Sequence, residues 1–497
     1  MSSSTSSTVR RRPVSSTEKE ESPNSSLPMK QIPGNYGLPF IGPIKDRLDY
    51  FYNQGRDEFF KTRMQKYGST VFRANMPPGP FMASNPNVVV LLDAVSFPVL
   101  FDVSKVEKRD LFTGTYMPST ALTGGYRVCA YLDPSEPNHT KLKRLIFLLL
   151  SSRHSKYIPE FHKSFSVLFD NLETEIKNKG EANFNNLNDK TSFDYLLKAY
   201  FDKDPAETKI ESKGSNYVTK WLFFQLCPLI TLGLPKLVSF VEDILLHTFP
   251  LPPFLVKSDY MKLYDVFYTS AAALLDEAEK MGLNRKEACH NLLFVTCFNA
   301  YGGMKILFPA LMKWVGLAGE ELHKQLADEI RAAVKAEGGV TLNAIEKMPL
   351  TKSAVYEALR IEPPVMFQYG KAKKDLVIES HDAAYEVKKG EMIFGFQPFA
   401  TKDPKIFDKA EEYIASRFVG EGEKLLKYVF WSNGRETENP TEENKQCPGK
   451  DFVVLVARLL LVEFFLRFDT FTVEVSTILL GPSVKVKSLT TARISTP

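Results

Sequence analysis

The sequence predicts a mainly α-helical protein with small β-sheets at one side. Apolar residues recur at intervals of three and four along five long segments, which is the spacing of one face of a helix. These segments are residues 155–180, 262–280, 285–315, 319–336 and 449–468. Between residues 375 and 396 the chain instead alternates apolar and polar residues around Gly390, which is the pattern of short strands. The two periodicities together give the fold class.

The size and composition indicate one large globular unit. The chain has 497 residues, of which 44% are hydrophobic and 25% charged, close to the average of folded proteins. We expect a single catalytic domain over residues 32–497, beginning at the proline- and glycine-rich IPGNYGLPFIG. Residues 1–31 are rich in Ser and Thr and predict a disordered tail, or an organellar transit segment in which Glu18, Glu20 and Glu21 are unusual.

Charge and cysteine content exclude several classes of function. The net charge of +4 is small, and there is no basic block beyond residues 10–12, which argues against nucleic acid as a partner. The five cysteines form no CxxC pair, so neither a disulfide framework nor a zinc site is indicated. No apolar run near the N-terminus is long enough to span a membrane. Any membrane association is therefore expected from one side only.

Cys447 is the cysteine that calls for an explanation. It is followed by Pro448, Gly449 and the nearly continuous apolar helix predicted over residues 449–468. The N-terminus of that helix points backbone N–H groups at the sulfur, which stabilises a thiolate and makes Cys447 a candidate metal ligand. A lone cysteine before an apolar helix is more often a buried core residue. A second signature is needed to decide between the two interpretations.

That second signature is an ordered set of charged residues. Glu357 and Arg360 lie three apart on one helix face in SAVYEALRIEPP, and Arg417 follows in YIASRF, thirty residues before Cys447. The order of Glu-Arg helix, strands, arginine, cysteine loop and helix resembles the core of the cytochromes P-450. Three charges buried together are costly unless they are fully paired, so we predict a structural lock and not a catalytic group.

The resemblance implies a haem-thiolate protein. It implies haem b, held between the long central helix and the helix after the cysteine loop, with Cys447 as the axial ligand of the iron. Gly449 belongs to the same cofactor-binding loop. His139, Lys141 and Lys143 lie where the family presents basic side chains to the haem propionates, and Lys143 is the favoured residue; a solvated basic face is the alternative.

The cysteine loop departs from the general family and narrows the resemblance. Most members have Phe, Gly and Arg at seven, four and two residues before the cysteine, where this chain has Pro440, Glu443 and Lys445. The amino-acid sequence is similar instead to those of the plant enzymes that rearrange fatty-acid hydroperoxides, namely allene oxide synthases, hydroperoxide lyases and divinyl ether synthases. The stretches that carry the similarity are MPPGPF, TGGYRV, YLDPSEP, LTKSAVYEALRIEPPV and ATKDPKIF.

The central helix lacks the residues that relay protons to dioxygen. After Gly302 and Gly303 the family usually has an acid and a threonine, but this chain has Lys305 and Ile306. An enzyme that takes its oxygen from a ready-made peroxide needs no dioxygen, no reductase and no relay. Asn299 is then the candidate catalytic group over the iron, because its amide can donate to and accept from a hydroperoxide. Lys305 is expected to face either the substrate carboxylate or solvent.

Two markers disagree on which rearrangement takes place. The resemblance assigns Phe147 to a position where synthases tend to have Phe and lyases Leu, and an aromatic face there stabilises a carbon radical until it is oxidised. Ala300, and the text CAYLD, are lyase-like. The expected activity is that of an allene oxide synthase in chloroplast oxylipin and jasmonate synthesis. The alternatives are a hydroperoxide lyase, a divinyl ether synthase or a conventional monooxygenase, in the cytoplasm or at a membrane surface.

Overall fold

The computed structural model describes residues 26–478 and 481–492, and most of this chain is helical. Short π-helical turns interrupt the helices at Asp49–Asn53, Asp243–Thr248 and Val295–Tyr301. The α-helices of the described residues are α1 (Ile41–Leu48), α2 (Arg56–Tyr67), α3 (Pro137–Ser152), α4 (Tyr157–Lys179), α5 (Phe184–Phe201), α6 (Gly214–Leu226), α7 (Lys236–Glu242), α8 (Phe254–Ser270), α9 (Ala272–Lys280), α10 (Arg285–Phe294), α11 (Gly302–Ala318), α12 (Glu320–Glu337), α13 (Leu342–Glu346), α14 (Pro349–Ile361), α15 (Gln397–Ala400) and α16 (Lys450–Arg467).

The strands form small sheets beside the helices. They are β1 (Met29–Lys30), β2 (Val71–Asn75), β3 (Asn87–Leu91), β4 (Val106–Glu107), β5 (Ala182–Asn183), β6 (Phe367–Ala372), β7 (Leu376–Glu379), β8 (Ala384–Val387), β9 (Met392–Phe396), β10 (Phe430–Trp431), β11 (Gly434–Arg435), β12 (Phe468–Ile478) and β13 (Gly481–Thr491). The five-stranded sheet has the order β2-β3-β9-β6-β4, and only the β3–β9 pair in it is parallel. Three smaller sheets are β1-β8-β7, β12-β13-β5 and β10-β11.

The predicted helices are all present, and two differ in detail from the prediction. The segment 262–280 forms two helices, α8 and α9, because the chain breaks at Ala271. The segment 285–315 forms one continuous helix that extends to Ala318 through α10, the π-helical turn and α11. By length and composition this helix is apolar enough to cross a membrane, but 61% of its most apolar window is buried inside the protein. It is the central helix of the core.

The strand prediction for residues 375–396 is confirmed by β7, β8 and β9. The predicted start of the folded domain at residue 32 is too late. Met29 and Lys30 pair in parallel with Ala384 and Tyr385, so the ordered chain begins before residue 32. The rest of the predicted tail, residues 1–25, lies outside the described residues. The long hairpin of β12 and β13 directly after α16 was not predicted from the sequence.

Candidate active site

Cys447 lies in the loop that connects the β10–β11 hairpin to α16. Its backbone N–H donates to the carbonyl of Ser432 at 3.0 Å, which fixes the loop against the hairpin. Burial raises the pKa of the Cys447 thiol, whereas the backbone N–H of Gly449 and the charge of Lys143 act in the opposite direction. A Cβ atom added at Gly449 would lie 3.9 Å from the sulfur. Gly449 and Lys143 therefore lie near the Cys447 sulfur, and their roles in binding a cofactor stay predictions.

Glu357, Arg360 and Arg417 form the buried cluster that their order in the sequence predicts. Glu357 and Arg360 are fully buried, and the Arg360 Nε donates to a Glu357 carboxylate oxygen at 2.7 Å. Arg417 donates to the other oxygen at 2.9 Å, and the backbone N–H of Ile414 donates to the same atom at 3.0 Å. The remaining guanidinium N–H groups of both arginines donate to backbone carbonyls between residues 401 and 412. One carboxylate is thus shared by two arginines, and their other N–H groups are hydrogen-bonded to carbonyls, as a structural lock requires.

Four basic side chains, here called the basic cluster, lie close together beside the cysteine loop: Lys108, His139, Lys143 and Lys445. Burial together with the charge of Lys445 holds the pKa of Lys108 well below its usual value and lowers that of Lys143 to about 8. Burial and the two neighbouring lysines lower the pKa of His139 to about 3. Three ammonium groups in one buried region are unfavourable unless anions balance them.

The present partners of the basic cluster are neutral. The Lys143 Nζ donates to the backbone carbonyl of Asn444 at 2.5 Å and to its side-chain oxygen at 2.9 Å. The Lys445 Nζ donates to the carbonyl of Leu132 at 2.6 Å, and the buried Nδ1 of His139 has no partner. A group with two carboxylates would satisfy this cluster. The residues therefore fit a haem whose propionates meet the basic cluster and whose iron meets the Cys447 sulfur.

Asn299 lies in the π-helical turn of the central helix, where the hydrogen-bond ladder is loosened. Its side chain is exposed, although Cys297, Ala300 and Tyr301 beside it are buried. Gly302 and Gly303 share this face, and added Cβ atoms there would meet nothing within 4 Å. The π-helical turn ends at Tyr301, directly before the two glycines. This face of the helix therefore borders open space, and Asn299 is exposed on it.

Lys305 is engaged in an ion pair. Its ammonium contacts the carboxylate of Asp189 on α5, and both side chains are largely buried. Burial raises the pKa of Asp189, and the charge of Lys305 opposes that shift. The expectation that Lys305 faces the substrate carboxylate or solvent is therefore wrong. The residue connects α11 to α5.

Phe112 contacts Phe298, the residue before Asn299, whereas no ring contact of Phe147 with this helix is described. Phe147 lies on α3, where the Lys143 Nζ is 6.0 Å from its ring centroid, and the described residues give it no ring contact with the central helix. The Phe112 ring lies 5.5 Å from that of Phe298. Phe112 also lines a narrow cavity together with Lys108, Ala130 and Lys445. Phe112 occupies a loop without periodicity, so the sequence pattern gave no signal for it.

The chain matches one protein-family model and several enzymes of one group within that family. Residues 319–487 match the family model described as Cytochrome P450. The chain is 61% identical to allene oxide synthase 1, chloroplastic, of Solanum lycopersicum over 96% of this chain and 90% of that protein. It is 61% identical to the Arabidopsis thaliana allene oxide synthase, chloroplastic, over 94% and 90%, and 58% identical to allene oxide synthase 2 of Oryza sativa subsp. japonica over 94% and 98%. The chain belongs to the allene oxide synthase family of the cytochromes P450.

Proposed function

We propose that this chain is a haem-thiolate lyase that converts polyunsaturated fatty-acid hydroperoxides to allene oxides in the chloroplast, within oxylipin and jasmonate synthesis. The observation that carries the activity is 56–62% identity to allene oxide synthases over nearly the whole chain. The site agrees with it, because one exposed amide, Asn299, lies on the loosened turn of the central helix. The position of the usual proton relay holds Lys305, which is bound to Asp189.

The cofactor in this proposal is haem b, with Cys447 as its axial ligand. The Gly449 N–H and the N-terminus of α16 stabilise the thiolate, while Lys143 and the rest of the basic cluster bind the propionates. When bound, the haem supplies the one-electron chemistry that breaks the peroxide bond. The lock around Glu357 holds the segments that precede the cysteine loop.

The substrate brings its own oxygen, so no reductase and no dioxygen take part. Asn299 orients the hydroperoxide by donating one hydrogen bond to a peroxide oxygen and accepting one from the peroxide hydrogen. Homolysis leaves an alkoxyl radical that closes onto the neighbouring double bond as an epoxide with a carbon radical. Loss of one electron and one proton from that species gives the allene oxide, and the hydroxyl half of the peroxide takes up both and leaves as water.

A hydroperoxide lyase is the second candidate, and Ala300 favours it. If the carbon radical recaptures oxygen, a hemiacetal forms and breaks into an aldehyde and an oxo acid. An aromatic ring against the radical favours its oxidation over recapture. The resemblance to the family assigns this radical-stabilising role to Phe147. The contact between Phe112 and Phe298, the residue before Asn299, makes Phe112 the stronger candidate.

The proposal also includes the domain organisation of the chain and its association with a membrane. The chain from Met29 onward forms one catalytic domain, and the tail before it acts as a chloroplast transit segment. The protein associates with a membrane from one side. Support comes from exposed apolar residues around α1 and α7, where Phe40 stacks on Phe81 at 6.2 Å and Leu237, Phe240 and Phe254 are exposed.

Product analysis tests the proposed function. Purified haem-loaded protein is incubated with the 9- and 13-hydroperoxides of linoleic and linolenic acid, without NADPH, and the products are identified by mass spectrometry. We expect rapid consumption and α-ketols, which form when an allene oxide meets water. Short-chain aldehydes as the main product would establish the lyase instead. No consumption unless a reductase and NADPH are added would establish a monooxygenase.

A further inference from the structure

Aromatic side chains form a continuous row from the central helix toward the surface. The row begins at Phe298, which precedes Asn299. The indole of Trp221 on α6 lies edge-on to the Phe298 ring at 6.3 Å and to the Phe294 ring at 5.8 Å. On its other side, Trp221 stacks on the phenol ring of Tyr260 at 5.6 Å and 28°. Trp221 and Tyr260 are both almost fully buried.

Tyr260 and His290 form a buried pair suited to proton transfer. The Tyr260 hydroxyl lies 2.6 Å from the His290 Nδ1, and the two rings are nearly parallel at 5.7 Å. Burial lowers the pKa of His290 to about 4, so its ring is neutral at neutral pH. A neutral imidazole whose proton is on Nε2 leaves Nδ1 free to accept from the phenol.

The row continues from His290 to solvent. The ring of Tyr264 on α8 lies 4.4 Å from that of His290, and the ring of Tyr268, one helical turn further, lies 5.7 Å from Tyr264. Tyr268 is 36% exposed. Every step between Trp221 and Tyr268 therefore joins neighbouring rings, and the last ring is accessible to a soluble reductant.

We propose that Trp221, Tyr260, His290, Tyr264 and Tyr268 form an electron relay that protects the active site from oxidative damage. The inference rests on the proposed function, since peroxide cleavage supplies the oxidant. When the substrate radical escapes before it is oxidised, the hydroxyl half of the peroxide remains in the site as one unspent oxidising equivalent. The relay removes it by delivering one electron from the surface.

The electrons and protons of this step balance. Trp221 gives one electron toward the site and regains one from Tyr260, whose phenol proton passes to the His290 Nδ1. The hydroxyl half of the cleaved peroxide accepts the electron together with a proton from solvent and leaves as water. A soluble one-electron reductant of the ascorbate class gives an electron at Tyr268, which passes through Tyr264 to Tyr260. The proton on His290 then returns to the Tyr260 oxygen.

The residue types in this row are better explained by electron transfer than by core packing alone. Phenylalanine fills a core equally well, and the two rings of the row on the central helix, Phe294 and Phe298, resist oxidation. Beyond them the row changes to Trp and Tyr, the aromatic side chains that lose an electron most readily. The Trp221 Nε1–H donates to the carbonyl of Leu122 at 2.8 Å, a poor base that leaves the indole proton in place. Tyr260 instead has a base against its hydroxyl.

The test uses cumene hydroperoxide, which has no double bond positioned to trap an alkoxyl radical and so leaves the oxidising equivalent behind. The haem-loaded protein is mixed with it, frozen rapidly and examined by electron paramagnetic resonance. The variant Tyr260→Phe keeps the ring and its packing but removes the hydroxyl. Tyr195→Phe is the matched control, because Tyr195 is also buried and its hydroxyl only approaches a backbone carbonyl at 3.4 Å.

We expect a tyrosyl radical in the native protein and in Tyr195→Phe, and its loss in Tyr260→Phe. Peptide mass spectrometry of the same samples is expected to show oxidation at Tyr264 and Tyr268 only when Tyr260 is present, and more oxidation at Trp221 when it is absent. Ascorbate is expected to prolong turnover of the native protein but not of Tyr260→Phe. A radical signal and oxidation map unchanged in Tyr260→Phe would overturn the relay. Failure of the proposed function is seen separately, as absence of α-ketols from fatty-acid hydroperoxides.

Discussion

Replacing Glu357 with glutamine removes the negative charge of the buried lock while keeping the size of the side chain. The carboxylate accepts four hydrogen bonds, two from Arg360, one from Arg417 and one from the backbone N–H of Ile414. Glutamine keeps one acceptor oxygen and leaves two buried guanidinium groups without a counter-charge. Breaking a buried ion pair on one side typically costs about 3–5 kcal/mol. We expect a loss of stability of this size.

The assay is urea unfolding followed by far-ultraviolet circular dichroism, with haem content measured in parallel. The control is Glu362→Gln, whose carboxylate is 29% exposed and binds Lys313 at 2.9 Å. A part-exposed pair of this kind is worth about 0–1 kcal/mol. If Glu357→Gln is as stable as the control and binds haem fully, the cluster is not a lock and the reasoning is refuted.

Further substitutions have defined outcomes. Cys447→Ser should abolish the thiolate-type ferrous-CO absorption band, and an unchanged band would remove Cys447 as the ligand. Asn299→Leu should slow peroxide cleavage by about 100-fold or more at unchanged haem content, measured by stopped flow, since a positioned donor is lost. Phe112→Leu should shift products from ketols toward aldehydes, whereas Phe147→Leu should not. A difference of about 1.4 kcal/mol between the two competing barriers changes the product ratio tenfold. The opposite pattern would make Phe147 the residue that stabilises the radical. Burial raises the pKa of Asp194 from 3.8 to about 6, so the native state loses stability as pH rises through 6. Asp194→Asn should therefore raise the free energy of unfolding by about 1–3 kcal/mol at pH 8 and leave it unchanged near pH 4. An equal gain at both pH values would contradict this.

Local patterns were enough to predict the helices and the lock. The spacing of Glu357 and Arg360 places both on one helix face whatever the rest of the fold does, and their buried pairing with Arg417 was confirmed. The strands between residues 375 and 396 were also confirmed, because their alternation is local. The hairpin of β12 and β13 was not predicted from the sequence.

The parts of the site that depend on distant contacts were beyond a single sequence. The ion pair of Lys305 with Asp189 joins residues 116 positions apart, so nothing near Lys305 predicts it. Phe112 is placed against Phe298 by the path of an irregular loop. The π-helical turn at Val295–Tyr301 lies just before Gly302 and Gly303, and no local pattern predicts it. Tertiary packing decides all three features.

Oxygen labelling tests most directly whether the substrate supplies the oxygen and whether the radical is oxidised. The protein is incubated without dioxygen and without NADPH, with a 13-hydroperoxide that carries ¹⁸O in both peroxide atoms. We expect an α-ketol with one labelled oxygen in its keto group, because the epoxide keeps the carbon-bound oxygen and water supplies the hydroxyl. The other labelled atom should leave as water. Turnover that requires dioxygen, or labelled aldehydes in place of the ketol, would contradict an allene oxide synthase.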